Sequence, residues 1–578
     1  MAKTVFIIFK THLDIGFTDY AEKVIKNYLT EFIPNAIRVG YELKETQTPF
    51  VWTVGSWIVD KALREDKTGN VERAIKDGII NWHGLPFTTH TELMNETLFE
   101  YGVGIAQQLD KKFGKKTIAA KMTDVPGHTI GMIPIMSRAG LKFLHLGVNP
   151  ATPLPPVPSL FRWKCGNDSI VVMYQGDYGM AAEFGDFILY FAHTHDNCGP
   201  QSKEEIIEIY EIVKKKYPDF DVKAATLNDV AEKICRIRDL PVIEKEIGDT
   251  WIHGAGTDPQ KLSRYRNILR NINDEKLKAT DISDTLLLVP EHTWGMDVKT
   301  YFHDTDHFAH DEIVKTKSDR EAIEFSWHEQ RDYVIKAERQ LQIVSEYPIF
   351  EPKLSEYSRC KTTENMVFEI SWQLFDRSDY ERYKKRYMRL TKENESWALW
   401  DFTKVGLPDY KGKILSANLT ATYEKNGIRF YKLEFDKKFS AQYGLPYFWA
   451  EISGESIKLK WFNKRPSRLP QAFWFKIKGT EENWELNKMG QWIKASNIIG
   501  SPLIAAVDIG VRNNDVIIET LDSALVAPFG RKLLQYGLKN PKQNLYFNLY
   551  NNIWNTNFPM WYSDDALFRF TIKQRINA

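Results

Sequence analysis

Short apolar runs alternate with longer amphipathic stretches over the first 260 residues, and this alternation restricts the possible folds more than any other feature. Residues 5–9 form the first run, and apolar positions from Ala21 to Leu29 follow it at helical spacing. Further strand-like runs occupy residues 50–54, 79–82, 117–122, 143–146, 170–174, 188–192 and 222–225, separated by helical segments such as 92–113, 130–138 and 203–216. This repetition predicts a parallel sheet with helices outside, either open or closed into a barrel.

The composition and apolar spacing of the rest of the chain change twice. From Pro259 to Tyr347 the sequence is rich in Glu, Lys, Arg and Ile, with apolar residues at helical spacing, which predicts a helical bundle domain over residues 259–348. Beyond Pro348, short runs of Tyr, Phe, Trp, Val and Ile are broken by Gly, Asn, Asp and Pro, which predicts a β-sandwich region over residues 349–578. With residues 1–258 as the βα domain, three domains suit a chain of 578 residues.

Composition excludes several classes of partner. The chain has 77 Lys and Arg against 76 Asp and Glu, so its overall charge attracts neither nucleic acid nor an anionic membrane. It contains no apolar stretch as long as a membrane span, and its four cysteines are widely spaced, so we expect a cytoplasmic protein with reduced thiols. The sequence leaves a homo-oligomer open.

Histidine is confined to the first part of the chain, where all 13 residues lie between His12 and His328. His12 and Asp14 directly follow the first predicted strand, and side chains two apart on a strand point to the same side. An imidazole nitrogen and a carboxylate oxygen can therefore meet at one cation. A hydrogen-bonded His and Asp pair without metal is the alternative interpretation.

Three more polar segments follow apolar runs. Asp124, in residues 121–128, leaves a predicted strand where βα folds place their chemistry, although it could instead cap the next helix. The other two segments are residues 191–200, with His193, His195 and Asp196, and residues 249–257, with His253. Four such segments together predict one site at the strand ends.

The motifs resemble those of the glycoside hydrolase family 38 α-mannosidases. His12-Leu13-Asp14-Ile15-Gly16-Phe17 looks like the family's metal-binding segment, and Asp124-Val125-Pro126-Gly127-His128 looks like its nucleophile segment. Residues 551–558 are similar to a segment of the family's final β domain. The resemblance implies a seven-stranded β/α barrel, a helical bundle and C-terminal β domains. Ile15, Pro126 and the pair His193 and His195 depart from the family pattern, so the sugar and the linkage stay open.

The resemblance also implies roles for individual residues. His12, Asp14, Asp124 and His253 would be the ligands of one zinc ion, and two imidazoles with two carboxylates suit Zn²⁺ with positions left open. Asp124 would also be the nucleophile, and Asp196 the general acid and base, of a retaining glycoside hydrolase that acts on an oligosaccharide or glycoside.

Several residues are predicted to contact substrate. Phe17 provides an aromatic face for a sugar ring, with ordinary packing as the alternative. His83, His90 and Glu92 lie in a dense polar segment, where Thr89 or Thr91 could equally cap the following helix. His195, and Trp294 in a loop within the helical pattern, complete the set. Residues 301–310 either bind a second metal or form a solvated helix face.

Two other functions fit the same residues. A metal-dependent carbohydrate deacetylase also uses an Asp and two His on a β/α barrel, and it would release acetate without cleaving a glycosidic bond. A glycan-binding protein that has lost turnover would keep the barrel and bind sugar without chemistry. The presence of both Asp124 and Asp196 argues against the binding protein.

Overall fold

The fold is that of a computed structural model, which describes residues 3–272, 280–313, 317–361, 366–479, 481–500, 504–537 and 540–574. An N-terminal α/β region comes first, then a helical region, then a largely β region. These three kinds of structure follow one another in the predicted order. The proposed domain limits at 258 and 348 stay predictions.

Parallel strands form the centre of the N-terminal region. The strands are β1 (Thr4–His12), β2 (Trp52–Gly55), β3 (Ile80–His83), β4 (Ala119–Asp124), β5 (Phe143–Val148), β6 (Leu160–Cys165), β7 (Asp168–Gln175), β8 (Ala182–Glu183), β9 (Phe187–Asp196), β10 (Asp221–Ala224), β11 (Val242–Ile243) and β12 (Glu246–Ile247). Every strand-like run of the sequence overlaps one of them. The short antiparallel hairpin of β6 and β7 was not predicted.

The strands pair in two sheets. In the first sheet β1 lies parallel to β9 on one side and to β2 and β10 on the other, with β3 beyond β2. In the second, β4, β5 and β7 run parallel. The predicted parallel β/α architecture is thus present. A single closed barrel of seven strands stays a prediction, because the pairing divides the strands between two sheets.

Helices separate these strands. They are α1 (Ala21–Asn27), α2 (Ile33–Leu43), α3 (Ser56–Glu65), α4 (Asn70–Lys76), α5 (Glu96–Phe113), α6 (Met132–Arg138), α7 (Lys203–Lys216) and α8 (Leu227–Ile234), with a π-turn at Tyr28–Phe32 and a 3-10 turn at Thr91–Leu93. The predicted helix 92–113 begins later, at Glu96, because the Asn95 side chain accepts from the Leu98 N–H and caps α5. Neither Thr89 nor Thr91 is the cap.

The middle region is helical, as predicted. A 3-10 turn at Ile252–Thr257 leads into α9 (Pro259–Asn271), α10 (Thr280–Leu287), α11 (Val298–Tyr301) and α12 (Lys317–Leu341). A loop from 288 to 297 enters between α10 and α11. Most of residues 301–310 form a loop rather than a solvated helix face, and there His307 contacts Asp304, which also binds Arg468.

The C-terminal region contains two antiparallel sheets. The first comprises β13 (Ser358–Cys360), β16 (Asn418–Lys425), β17 (Ile428–Glu434), β18 (Tyr447–Ser453), β19 (Ser456–Phe462), β21 (Glu485–Lys488), β22 (Gln491–Lys494), β25 (Gly510–Arg512), β26 (Val516–Thr520) and β29 (Ala566–Gln574). The second comprises β14 (Phe368–Leu374), β15 (Lys413–Ser416), β20 (Gln471–Ile477), β24 (Ala505–Ala506), β27 (Leu525–Ala527) and β28 (Leu545–Asn551). The sheets pack through aromatic side chains, as where Phe475 stacks on Phe570 with centroids 4.5 Å apart. Helices α13 (Arg377–Tyr387), α14 (Glu395–Phe402) and α15 (Lys437–Tyr443) flank them.

Buried contacts join the N-terminal and C-terminal regions. Strand β12 pairs in parallel with the short strand β23 (Ile498–Ile499) of the C-terminal region. Lys488 lies 2.8 Å from both Glu92 and Glu246, and all three side chains are buried. Removing one charge of this buried group would leave the others without a compensating charge, which is costly. The cluster therefore holds the two regions in a fixed relative position. Of the helices that the structure describes, none is both long and apolar enough to cross a membrane.

Candidate active site

A cleft of about 640 Å³ opens where the three regions meet. Its floor is formed by residues at the C-terminal ends of β1, β4 and β9. Its walls come from α11 and the residue before it, from α14 and from the segment around Asn557. Ligands of parallel α/β folds bind at this end of the strands. This position agrees with the sequence, in which polar segments directly follow the apolar runs of the predicted strands.

His12, Asp14 and His292 meet at the floor of the cleft. The Nε2 atoms of the two imidazoles lie 3.1 Å apart, and Asp14 Oδ1 lies 3.2 Å from His12 Nε2 and 2.9 Å from His292 Nε2. All three side chains are buried. His12 ends β1, whereas His292 lies in the loop between α10 and α11, so residues from two regions form one cluster.

Asp124 completes this cluster from β4. Its Oδ2 lies 3.5 Å from His292 Nε2. Its Oδ1 accepts a hydrogen bond from Asn149 Nδ2 at 3.0 Å and a short one from the Tyr178 hydroxyl. The backbone of Asp124 has φ +80°, a left-handed conformation that is unfavourable for a residue with a Cβ. Such strain at a strand end is typical of functional sites, where the surroundings hold it in place.

The donor set fits a divalent cation. His12 Nδ1 lies 2.7 Å from Thr123 Oγ1, and His292 Nδ1 lies 2.7 Å from Glu291 Oε1. Each ring thus has a partner on its far side, which orients the two Nε2 atoms toward each other as possible metal ligands. Asp14 Oδ2 is buried without a hydrogen-bond partner among the described residues. Two groups, His12–Asp124–His292 and His12–Asp14–Asp196, each bring three ligand atoms within 4.8 Å of one another.

The charges of the cluster depend on each other. Burial alone would raise the pKa of Asp14, but His12 and His292 hold it well below its ordinary value. Burial alone would lower the pKa of His292, but the negative charges of Glu291 and Asp14 raise it well above its ordinary value. In the absence of a cation, His292 therefore carries a proton that a bound metal would displace.

Asp196 lies beside the cluster on β9. It is the register partner of His12 in the parallel pairing of β1 with β9, and it lines the cleft. Burial and the negative charge of Asp14 raise its pKa to about 6. A carboxyl group with this pKa is protonated in mildly acidic solution and can donate that proton, as a general acid must.

The opposite wall combines aromatic and charged side chains. Phe17 lines the cleft with the Lys299 ammonium 4.8 Å from its ring centroid, and Lys299 pairs with Asp297 and Asp401 at 2.9 and 3.2 Å. Burial raises the pKa of Asp401 to about 7. His195, Trp251, Trp397 and Asn557 also line the cleft. Aromatic faces beside hydroxyl-binding groups suit sugar rings.

Other predicted site residues lie away from the cleft. His253 packs its ring on Trp554 with centroids 4.2 Å apart, and its backbone oxygen accepts from Asn551 Nδ2. His253 belongs to neither group of possible metal ligands among the described residues, whereas His292 belongs to one of them. The similar segment 551–558 therefore supports the turn that carries His253 and contributes Asn557 to the cleft.

His83, His90, Glu92 and Trp294 do not line the cleft either. The His90 ring lies 2.6 Å from Asp249, and Glu92 belongs to the buried cluster with Lys488. Trp294 is buried and stacks under the Lys261 ammonium, 3.8 Å from a ring centroid. His83 ends β3 and lines a small separate cavity below His12.

Sequence reasoning missed His292, Asn149 and Tyr178. Asn149 and Tyr178 follow strands β5 and β7, the places where βα folds carry polar groups, but neither belongs to a motif. The signal for His292 was its neighbour Glu291, since a carboxylate next to an imidazole often orients a metal ligand.

Comparisons with known proteins bear on the fold. Residues 255–349 match the family described as "Domain of unknown function (DUF5054)", and no curated protein matches the sequence. An α-mannosidase from Enterococcus faecalis V583 is similar in structure, with a TM-score of 0.62 at 10% identity over 99% of this chain and 87% of that one. A protein in glycosyl hydrolase family 38 from Enterococcus faecalis has a TM-score of 0.57 at 9% identity over 100% of this chain and 86% of that one. In fold, the chain therefore resembles the α-mannosidases of glycoside hydrolase family 38.

Proposed function

We propose that the chain is a metal-dependent retaining glycoside hydrolase acting on α-mannosides or related glycosides. The observation that carries the proposal is the convergence of two buried imidazole nitrogens and the Asp14 carboxylate within 3.2 Å of one another, beside Asp124. The fold it shares with the α-mannosidase from Enterococcus faecalis supports the choice of substrate class.

The proposed ligands of one divalent cation, Zn²⁺ by the chemistry of the donors, are His12, Asp14, Asp124 and His292. When bound, such a cation supplies positive charge to which two neighbouring sugar hydroxyls can bind, and this charge favours a distorted, oxocarbenium-like ring. Phe17 and His195 are proposed as sugar contacts because both line the same cleft.

Asp124 and Asp196 would carry out the bond changes. A carboxylate oxygen of Asp124 attacks the anomeric carbon while Asp196 gives its proton to the departing glycosidic oxygen, which leaves a covalent glycosyl ester on Asp124. Asp196 then takes a proton from water, the water oxygen attacks the same carbon, and the ester bond to Asp124 breaks. Burial and the charge of Asp124 raise the pKa of Tyr178 well above its ordinary value, so its hydroxyl stays protonated and orients the nucleophile.

A glycoside screen tests the reaction class. The protein is incubated with aryl α- and β-glycosides of mannose and its epimers, with zinc added, and the configuration of the first sugar released is read by NMR. We expect cleavage of an α-glycoside with retention of configuration, because two displacements at one carbon restore it. A first product of inverted configuration would contradict the role of Asp124, and acetate release from acetylated sugars without glycoside cleavage would favour a deacetylase.

Replacing Asp196 with Ala tests the general acid. We expect activity on glycosides with poor leaving groups to fall by about 10²–10⁴-fold, and activity on dinitrophenyl glycosides to fall much less, because that leaving group needs no proton. With poor leaving groups the wild-type kcat/KM should decline as the pH rises through about 6, where Asp196 loses its proton, and a bound cation would move this decline to lower pH. Equal losses on both kinds of substrate would rule out the assignment.

A further inference from the structure

A second buried site lies under the floor of the cleft. It is a cavity of about 30 Å³, enough for about two water molecules, between β1, β2, β3 and β4. Its polar lining includes Thr53, His83, Thr88 and Lys121, and all four residues are buried. The proposed function uses none of these four side chains, although His12, a proposed metal ligand, also lines the cavity.

Lys121 carries a positive charge into this cavity. Its contact in the described part of the chain is a long one, 3.5 Å from Nζ to Thr123 Oγ1, and no opposite charge there acts on its pKa. Burial lowers the pKa of Lys121 to about 8, so the ammonium is still the main form at pH 7. A buried ammonium without a counter-charge is costly, and among the described residues that line the cavity none is a carboxylate.

Three of the other polar side chains around the cavity can each donate a hydrogen bond. The Thr53 hydroxyl is fully buried and has no partner among the described residues. The Thr88 hydroxyl accepts from the Thr123 N–H, so its own hydrogen remains to be donated. His83 Nδ1 accepts from the Leu85 N–H at 3.3 Å, which places the ring proton on Nε2. Since burial lowers the pKa of His83 well below its ordinary value, this ring is neutral and donates once.

We propose that this cavity binds one small monovalent anion of the size of chloride. Lys121 would supply the counter-charge, and Thr53, Thr88 and His83 could each donate a hydrogen bond, which requires an acceptor. A water molecule would leave the ammonium uncompensated, whereas a dianion such as sulfate would bring one negative charge more than a single ammonium balances. The anion would sit below His12 and thus support the floor of the cleft from beneath.

Equilibrium dialysis of the full chain against radioactive chloride tests the site, with sodium gluconate keeping the ionic strength constant. We expect saturable binding of about one chloride per chain, competed by bromide. Lys121→Met should weaken binding at least about 100-fold, because the charge is lost. Thr53→Val keeps the shape and removes one hydrogen bond to a charged group, so it should weaken binding by on the order of tenfold.

A matched control is available in the C-terminal region. Thr422 is also a buried strand residue whose hydroxyl has no partner among the described residues, so Thr422→Val should leave chloride binding unchanged. If Lys121→Met fails to fold, Thr53→Val against Thr422→Val decides the question. No saturable binding would mean that water fills the cavity, and binding unaffected by Thr53→Val would place the ion elsewhere. Either result overturns the proposal.

Discussion

Replacing Asp124 with Asn is expected to lower kcat by roughly 10⁴-fold, the size of loss found when a residue of a covalent catalytic group is removed. The Asn side chain keeps the shape of Asp124 and can still contact Asn149 and Tyr178, so the local fold should survive. The Asn side chain lacks the negatively charged oxygen that attacks the anomeric carbon. The measurement is kcat on an activated aryl glycoside, with circular dichroism to confirm the fold.

Asp177→Asn is the matched control, because Asp177 lines the same cleft, is exposed and undergoes the same chemical change. We expect its kcat to change less than about tenfold, as for a charge that only contributes to the field of the site. Similar losses in both variants would show that the charge of the cleft, and not a nucleophile, limits the rate.

The covalent step can be tested directly. A sugar with fluorine at carbon 2 and a fluoride leaving group slows the second displacement, so the glycosyl enzyme accumulates. We expect the wild-type chain to gain the mass of one fluorosugar on the peptide that carries Asp124, and Asp124→Asn to gain none. Labelling of Asp196 instead would exchange the roles of the two carboxylates.

The order of helices and strands could be predicted because the sequence signals for them, caps and apolar periodicity, are local. Helix α7 has the predicted bounds because Ser202 and Glu205 form a capping box in front of a regular apolar stripe. His12 and Asp124 could be predicted as site residues for a related reason, since each ends an apolar strand. A strand end is visible in the sequence, and parallel strands bring their ends together.

The remainder depends on contacts between distant residues. The division of the parallel strands into two sheets follows from pairings such as β1 with β9, which periodicity does not specify. His292 joins His12 across 280 positions of sequence, from a loop whose path depends on the packing of the helical region. His253 had a suitable local pattern, but its ring packs on Trp554, a residue that no local signal connects with it.

Replacing His292 with Ala is expected to weaken metal binding at least about 100-fold. Substituting a residue that only contacts a metal ligand already lowers metal affinity about 10–100-fold. The wild-type chain should hold about one zinc ion after dialysis, lose activity with a chelator and recover it when zinc is returned. Zinc content is measured by mass spectrometry of the metal, and affinity by competition with a chromogenic chelator. Because zinc must displace the proton that Glu291 and Asp14 keep on His292, affinity should fall as the pH is lowered.

His253→Ala separates this ligand set from the one predicted by the sequence motif. His253 is as buried as His292, so both substitutions remove a buried imidazole, and loss of its contact with Trp554 should lower stability. We expect His253→Ala to bind zinc with wild-type affinity, because its ring belongs to neither group of converging ligand atoms. If His253→Ala loses zinc while His292→Ala retains it, then the facing nitrogens of His12 and His292 are a hydrogen-bonded pair, and the cation that the proposed reaction requires has to bind elsewhere.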